Sequence, residues 1–203
     1  MALPHLKRVT KRPDQRRAEL INAAIEVFAE KGLDDATVAD ITTAAGVAKG
    51  TFYLYFSSKE HLLAALRERF VEDALEHAAT LFERVGTEDW WGLVDATVES
   101  SIDFALEHRD SIRIFGREGL TAKTREIMGQ AERKLNAMFS AGIQAGIAAG
   151  AFQVSDPELT AIYLHHAIDG TVFEAILFDQ DLDRDRLVAG GKELAHKVLS
   201  PGR

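Results

Sequence analysis

The sequence contains no cysteine. A disulfide framework, cysteine-liganded zinc and thiol catalysis are therefore excluded. Proline is scarce, at four residues in 203, while 46% of positions are apolar and 28% charged. This balance excludes wholesale disorder and fibrous repeats. No apolar run approaches the roughly 20 residues that a membrane helix needs. The opening stretch MALPHLKRVTKRPDQRR is basic but lacks the apolar core of a secretory signal. There is no run of alternating β-branched residues to suggest a sheet. Glycine-flanked nucleophile motifs and phosphate loops are also missing. What remains is a soluble, cytoplasmic, non-membrane protein of one large or two small domains.

Charge is distributed unevenly. The net charge is −8, yet residues 1–56 hold 8 Lys/Arg against 7 Asp/Glu, and the rest hold 16 against 25. Six of the basic residues fall within the first 17 positions. A basic end ahead of an acidic body suits an anionic partner, or a solvated tail.

Helical periodicity dominates the chain. Asp14–Lys31 puts Leu20, Ala24, Ile25 and Phe28 on one stripe and stops at Gly32. Thr37-Val-Ala-Asp40 reads as a capping box opening a short helix to about Ala45, and Gly46 supplies a left-handed turn. A second short helix covers about Ala48–Tyr53. Ser57-Ser-Lys-Glu60 reads as another capping box, opening a long helix to about Phe82. Thr87 with Glu88-Asp89 opens the next helix. A break containing a short helix spans His108–Gly119, and a long helix follows over about Thr121–Ala149. Pro157 marks the start of a helix to Phe178, and Asp183 caps a last one. The expected fold is all-α with nine or ten helices: short elements over 1–58, behind a basic arm, and long helices over 59–203.

The segment TVADITTAAGVAKGTFYLYFSSK carries the functional signal. Val38, Ile41, Val47 and Phe52 face inward, and Ala44, Ala45 and Gly46 let two short helices cross closely. Ala48, Lys49, Gly50, Thr51 and Tyr53 are left facing outward on a helix that fits a DNA major groove. Ala48 can meet a thymine methyl, Lys49 a guanine or a phosphate, and Thr51 a base or phosphate. Gly50 allows close backbone approach. Tyr53, Tyr55 and Lys59 can reach phosphates, and the helix start at Thr37 favours one.

These residues resemble the N-terminal domain of the TetR family, the tetracycline-repressor-like regulators. The resemblance rests on Phe28-Ala-Glu-Lys-Gly32, Thr37-Val-Ala-Asp-Ile41, Ala45 through Phe56, and Ser58-Lys-Glu-His-Leu-Leu63. It covers about fifty residues densely. It continues weakly at Gly146–Phe152 and Ser155–Leu159. It implies a three-helix helix-turn-helix DNA-binding domain over 1–58, with its basic arm, and an effector-binding and dimerisation domain over 59–203, in a homodimeric regulator, usually a repressor, released from a near-palindromic double-stranded operator by a small effector. It also implies that Thr37, Tyr55 and Lys59 contact phosphates and that Ala48, Lys49, Gly50, Thr51 and Tyr53 belong to the recognition helix. A helical-bundle metalloenzyme and a non-DNA-binding interaction module stand as alternatives.

In the acidic body, helix Asp156–Phe178 is apolar nearly all round, which requires burial on two sides. Ala167, Gly170 and Thr171 would permit close approach of a second copy. Phe104, His108, Phe115, Met138, Phe139, His166, Asp169 and Phe173 are candidate walls of a mostly apolar effector cavity. His165, His166 and Asp169 can gather on one helix wall, but no further ligands are evidently spaced for a metal. Glu193-Leu-Ala-His196 is one Glu-x-x-His pair where a di-iron bundle needs two. No metal or cofactor is expected. Gly142, Gly146 and Gly150, spaced by four, suggest close packing against another helix.

Overall fold

The computed structural model describes residues 12–84, 89–116, 122–178 and 183–200. Among them there are nine α-helices and no strand: α1 Pro13–Lys31, α2 Val38–Ala44, α3 Lys49–Tyr53, α4 Lys59–Arg84, α5 Trp90–Glu107, α6 Arg109–Gly116, α7 Ala122–Ala148, α8 Pro157–Leu177 and α9 Arg184–Leu199. The chain divides into two compact units, Met1–Leu66 and Arg67–Arg203. The first unit thus runs eight residues past the boundary expected from sequence. The reason is visible in α4, where Leu62, Leu63 and Leu66 of the first two turns are buried.

Local chemistry sets the helix ends. α1 begins with Pro13 at its first position, where a missing N–H costs nothing, and stops at Gly32, whose φ is 81°. Thr37 and Asp40 form the expected reciprocal capping box. The start of α4 shifts by one residue from the expected box. Ser58, not Ser57, accepts the His61 N–H at 3.2 Å, and the Ser57 N–H donates to His61 Nδ1. Asp89, Asp156 and Asp183 each accept a first-turn N–H and cap α5, α8 and α9. Thr87, Glu88 and residues 117–121 lie outside the described residues.

In the N-terminal unit, α1 packs on α2 and α2 on α3. Leu20, Ile21, Phe28, Ile41, Phe52 and Phe56 are almost fully buried there. The second unit is built around α8, which packs on α5, α6, α7 and α9. One core gathers Val98, Ile102, Ile112, Val172, Ile176 and Val188. A second gathers Ile143, Phe152, Ala161 and Leu199, with both tryptophans against it. Arg184 ties α9 to α5, donating to Asp103 at 2.6 Å and Glu99 at 2.9 Å. Those bonds hold both carboxyls below their ordinary pKa.

The glycines spaced by four do not form a helix-crossing stripe. A Cβ on Gly146 would stand 2.2 Å from the Phe152 ring, so this glycine makes room for the turn that follows α7. Gly150, at φ 75°, forms that turn, and Gly142 lines a cavity.

Candidate nucleic-acid interface and effector cavity

Between α2 and α3 the chain turns within four residues. The Ala45 N–H donates to Ile41 O, the Gly46 N–H to Thr43 O and the Val47 N–H to Thr42 O. Gly46 takes φ 64°, which an L side chain tolerates poorly. Thr42 is buried and returns its hydroxyl to the Val38 carbonyl. On α3, Phe52 is buried and packs edge-on to Tyr53 and against Phe56. This anchor fixes the rotation of a five-residue helix that could not hold itself together alone. It leaves Ala48, Lys49, Gly50 and Tyr53 exposed, with Thr51 and Tyr55 half-buried. A Cβ on Gly50 would meet nothing within 4 Å, so the backbone is open on that side.

Ala48 occupies the N-cap of α3 and offers no side-chain acceptor. Serine, threonine, aspartate or asparagine would serve that position better by about 1 kcal/mol. Leu54 is 80% exposed, a residue the sequence reading passed over. Its signal was its place two positions from both Phe52 and Phe56, which share the buried face.

Two predicted phosphate contacts, Thr37 and Lys59, have internal partners. The Thr37 hydroxyl donates to Asp40 at 2.6 Å and accepts the Asp40 N–H. Lys31, and then Thr37, hold the Asp40 carboxyl well below the usual carboxylate range by hydrogen bonding to it. Lys59 donates to the carbonyls of Leu33 and Ala36, and stands 3.5 Å from that of Asp34. It thereby braces the loop between α1 and α2. Of the basic arm, residues 1–11 lie outside the described residues. Arg16 pairs with Glu19, and Arg17 lies 5.5 Å over the Phe56 ring.

The C-terminal unit holds two adjoining cavities. One, of about 90 Å³, lies between α5, α7, α8 and α9 and is walled almost entirely by apolar groups such as Leu93, Phe139, Ile143 and Leu164. The other, of about 220 Å³, is lined by Arg67, Phe70, Phe104, Met128, His166 and Phe173 among others. Ser101, His165 and Asp169 belong to both linings. Of the eight predicted wall residues, Phe104, Phe139, His166, Asp169 and Phe173 line one or both. His108, Phe115 and Met138 line neither. His108 instead stacks on Phe104 at 4.1 Å and shares a hydrogen bond with its carbonyl. Phe115 packs edge-on to Phe70 beneath the Arg67 guanidinium. Aromatic residues at helical spacing cannot by sequence alone be divided between core and cavity wall.

His165 is the polar centre of this region. Its side chain is 7% exposed, and it faces Asp169 at 3.0 Å, Asn136 at 2.8 Å and Glu132 at 3.7 Å. Burial would depress its pKa, but the hydrogen bond to Asp169 and the charges of Asp169 and Glu132 raise it above the ordinary value. Ligand atoms of Glu132, His165 and His166 all lie within 4.8 Å of one another. Sequence reasoning gathered the three α8 residues and missed Glu132 and Asn136, which α7 supplies.

The dimer candidates Ala167, Gly170 and Thr171 are all exposed on α8. Ala167 and Thr171 border a groove shared with α9. Tyr163, Phe178, Leu194 and Val198 are exposed on the same two helices or, for Phe178, at the end of α8.

Comparison with known proteins bears on the fold and the family. Residues 20–66 match the bacterial regulatory proteins of the tetR family, and residues 94–172 match a tetracyclin repressor-like C-terminal domain. The chain is 32% identical over 183 residues to the fatty acid metabolism regulator protein of Bacillus subtilis, covering 85% of this chain and 89% of that protein. It is 40% identical over 94 residues to the uncharacterized HTH-type transcriptional regulator YvdT of the same organism, a match spanning 46% of this chain and 47% of YvdT. The fold superposes on FadR from Bacillus halodurans with a TM-score of 0.75 at 24% identity, covering 92% and 96% of the two chains. It also superposes on Bacillus subtilis FadR crystallised with stearoyl-CoA, with a TM-score of 0.73 at 24% identity, covering 88% and 96%. Among the described residues no helix is long and apolar enough to cross a membrane.

Proposed function

Because the chain belongs to the TetR family of DNA-binding transcriptional regulators, we propose that it is a repressor whose homodimer holds a near-palindromic operator until a small, mostly apolar effector releases it. The observation that carries this reading is the exposed face of α3. Ala48, Lys49, Gly50 and Tyr53 stand free over a buried Phe52–Phe56 anchor. Ala48 and Leu54 supply apolar contacts of the kind that meet thymine methyls, and Lys49 supplies the base or phosphate donor. Thr51, Tyr53 and Tyr55 add hydroxyls for the flanking backbone. Lys59 has one donor only weakly engaged, toward Asp34 O, and that donor meets a phosphate while the other two keep the loop in place. Thr37 contributes as the cap of α2 beside the backbone. The family is one of regulators rather than enzymes.

Dimerisation falls to α8 and α9. A monomer would leave Tyr163, Phe178, Leu194 and Val198 in water, and an isologous pairing across Ala167, Gly170 and Thr171 covers them. The effector has an apolar body, held by Phe139, Ile143 and Leu164, and a polar end at Ser101, His165 and Asp169. Stearoyl-CoA, bound by the FadR of Bacillus subtilis, has that build, so acyl-CoA thioesters of graded length are the first probes. Arg67 couples the cavity to α4. It lines the second cavity, lies 4.9 Å over the Phe115 ring of α6, and donates to the Phe115 carbonyl at 3.5 Å. An effector that displaces α6 therefore pulls on α4, whose first residues carry Lys59.

The test is a gel shift on the chain's own upstream DNA, repeated across salt concentrations and with each acyl-CoA. We expect nanomolar binding to an inverted repeat that weakens steeply with salt. Operator and effector must also weaken each other's binding by one common factor. Salt-independent binding, or effector affinity unchanged by operator, refutes the reading.

A further inference from the structure

We propose that Glu132, His165 and His166 form a binding site for a divalent transition-metal ion at the α7–α8 edge of the larger cavity. The chemistry of the donor set is that of a two-histidine, one-carboxylate site, which holds zinc, cobalt or iron and leaves coordination positions open. The site is distinct from the operator-binding face and does not depend on the identity of the effector.

Each imidazole has an acceptor behind one ring nitrogen, as metal-binding imidazoles usually have. His166 Nδ1 lies 3.0 Å from the Ile162 carbonyl, which can only accept, so Nδ1 carries the proton and Nε2 keeps its lone pair. His165 Nε2 lies 3.0 Å from the Asp169 carboxylate and donates to it, while Nδ1 faces the Asn136 amide oxygen at 2.8 Å and the Glu132 carboxylate at 3.7 Å, so an ion bound at Nδ1 takes the place of the Nδ1 proton. A carboxylate or a backbone carbonyl behind each ligand nitrogen fixes tautomer and ring plane and raises ligand basicity. Asn136, one helical turn beyond Glu132, stands 2.8 Å from the same Nδ1.

The distances suit an ion. Bonds of about 2.0–2.2 Å from a metal place its ligand atoms up to roughly 4 Å apart. The three candidate atoms lie within 4.8 Å of one another, and Glu132 and His166 are exposed and can close the difference. His165, the buried member, is fixed by packing against the Phe139 ring at 5.3 Å. Charge points the same way: Glu132 and Asp169 place two carboxylates beside one largely buried imidazole, a field that favours a dication. Glu132, His165 and His166 line this cavity together with Phe173 and Met128, so an ion held by them would stand at its wall.

The experiment uses the full chain, freed of any histidine tag and stripped with chelator. Zn²⁺ is titrated by calorimetry and Co²⁺ by visible absorption near neutral pH. We expect one equivalent per chain and a cobalt ligand-field band. Glu132→Gln and His166→Ala should each lower the affinity by at least about tenfold, and Asp169→Asn by about 10–100-fold through the orientation of His165. His196→Ala, on α9, serves as the control and should bind as the parent does. Circular dichroism establishes that the variants remain helical, which the exposure of Glu132 and His166 favours. Absence of saturable binding at one per chain, or affinity undiminished in either Glu132→Gln or His166→Ala, overturns the proposal.

Discussion

Replacing Lys59 by methionine keeps the aliphatic stem and removes an ammonium that donates to the carbonyls of Leu33 and Ala36. Each bond is charge-assisted, a class worth about 1.5–3 kcal/mol when well shielded. Lys59 is only half-buried, so water recovers part of that, and the expected loss is about 2 kcal/mol in all. For a chain of this length cooperative unfolding converts 2 kcal/mol into a fall in Tm of about 4–8 °C. Calorimetry or a circular dichroism melt of the DNA-free protein measures it. Lys49→Met is the control. Lys49 is exposed, so its Tm should be that of the parent. The same variant also tests the phosphate contact. Each neutralised phosphate adds about 0.9 to the slope of log affinity against log salt. Two copies of Lys59 in a dimer should therefore flatten the slope by about 1.8. An unchanged Tm refutes the brace between α1 and α2, and an unchanged slope refutes the meeting of Lys59 with DNA.

Three further outcomes are expected. Gly170→Arg places a charged side chain on an exposed, unobstructed position of α8, so helicity should be retained while sedimentation shows a monomer and operator binding is lost; a soluble variant that remains dimeric moves the interface elsewhere. Arg184→Met should lower Tm at neutral pH and low salt, because Asp103 and Glu99 titrate below their ordinary range in the folded protein and stabilise it above the pKa of the unfolded chain. The gap from the parent should close as pH falls through about 4 and below, and as salt rises; a gap independent of both refutes the ion network. Gly191→Val forces a Cβ to 2.7 Å from Val98 Cγ1 where α9 crosses α5, and a urea melt should show a loss of about 1–3 kcal/mol; an unaltered midpoint would mean the crossing adapts freely.

Much of this protein is determined by short-range chemistry and was legible in the chain. Caps at Thr37, Asp156 and Asp183, the left-handed Gly46 and the 3.6-residue apolar rhythm act over a few residues, so they place helix ends to within one or two positions. The exposed face of α3 follows from the same rule, since Phe52 and Phe56 at i and i+4 are buried together and Tyr53 and Leu54 between them are not. What needed tertiary structure was every pairing between helices. Lys59 meets carbonyls more than twenty positions earlier in the chain, and Glu132 reaches His165 from another helix. Phe115 and His108 turned out to be packing residues, where Phe104 and Phe173 border a cavity. The same local sequence serves a core or a cavity wall, and only the packing of neighbouring helices against it decides which, because burial and cavity shape are properties of the assembled bundle rather than of any one helix.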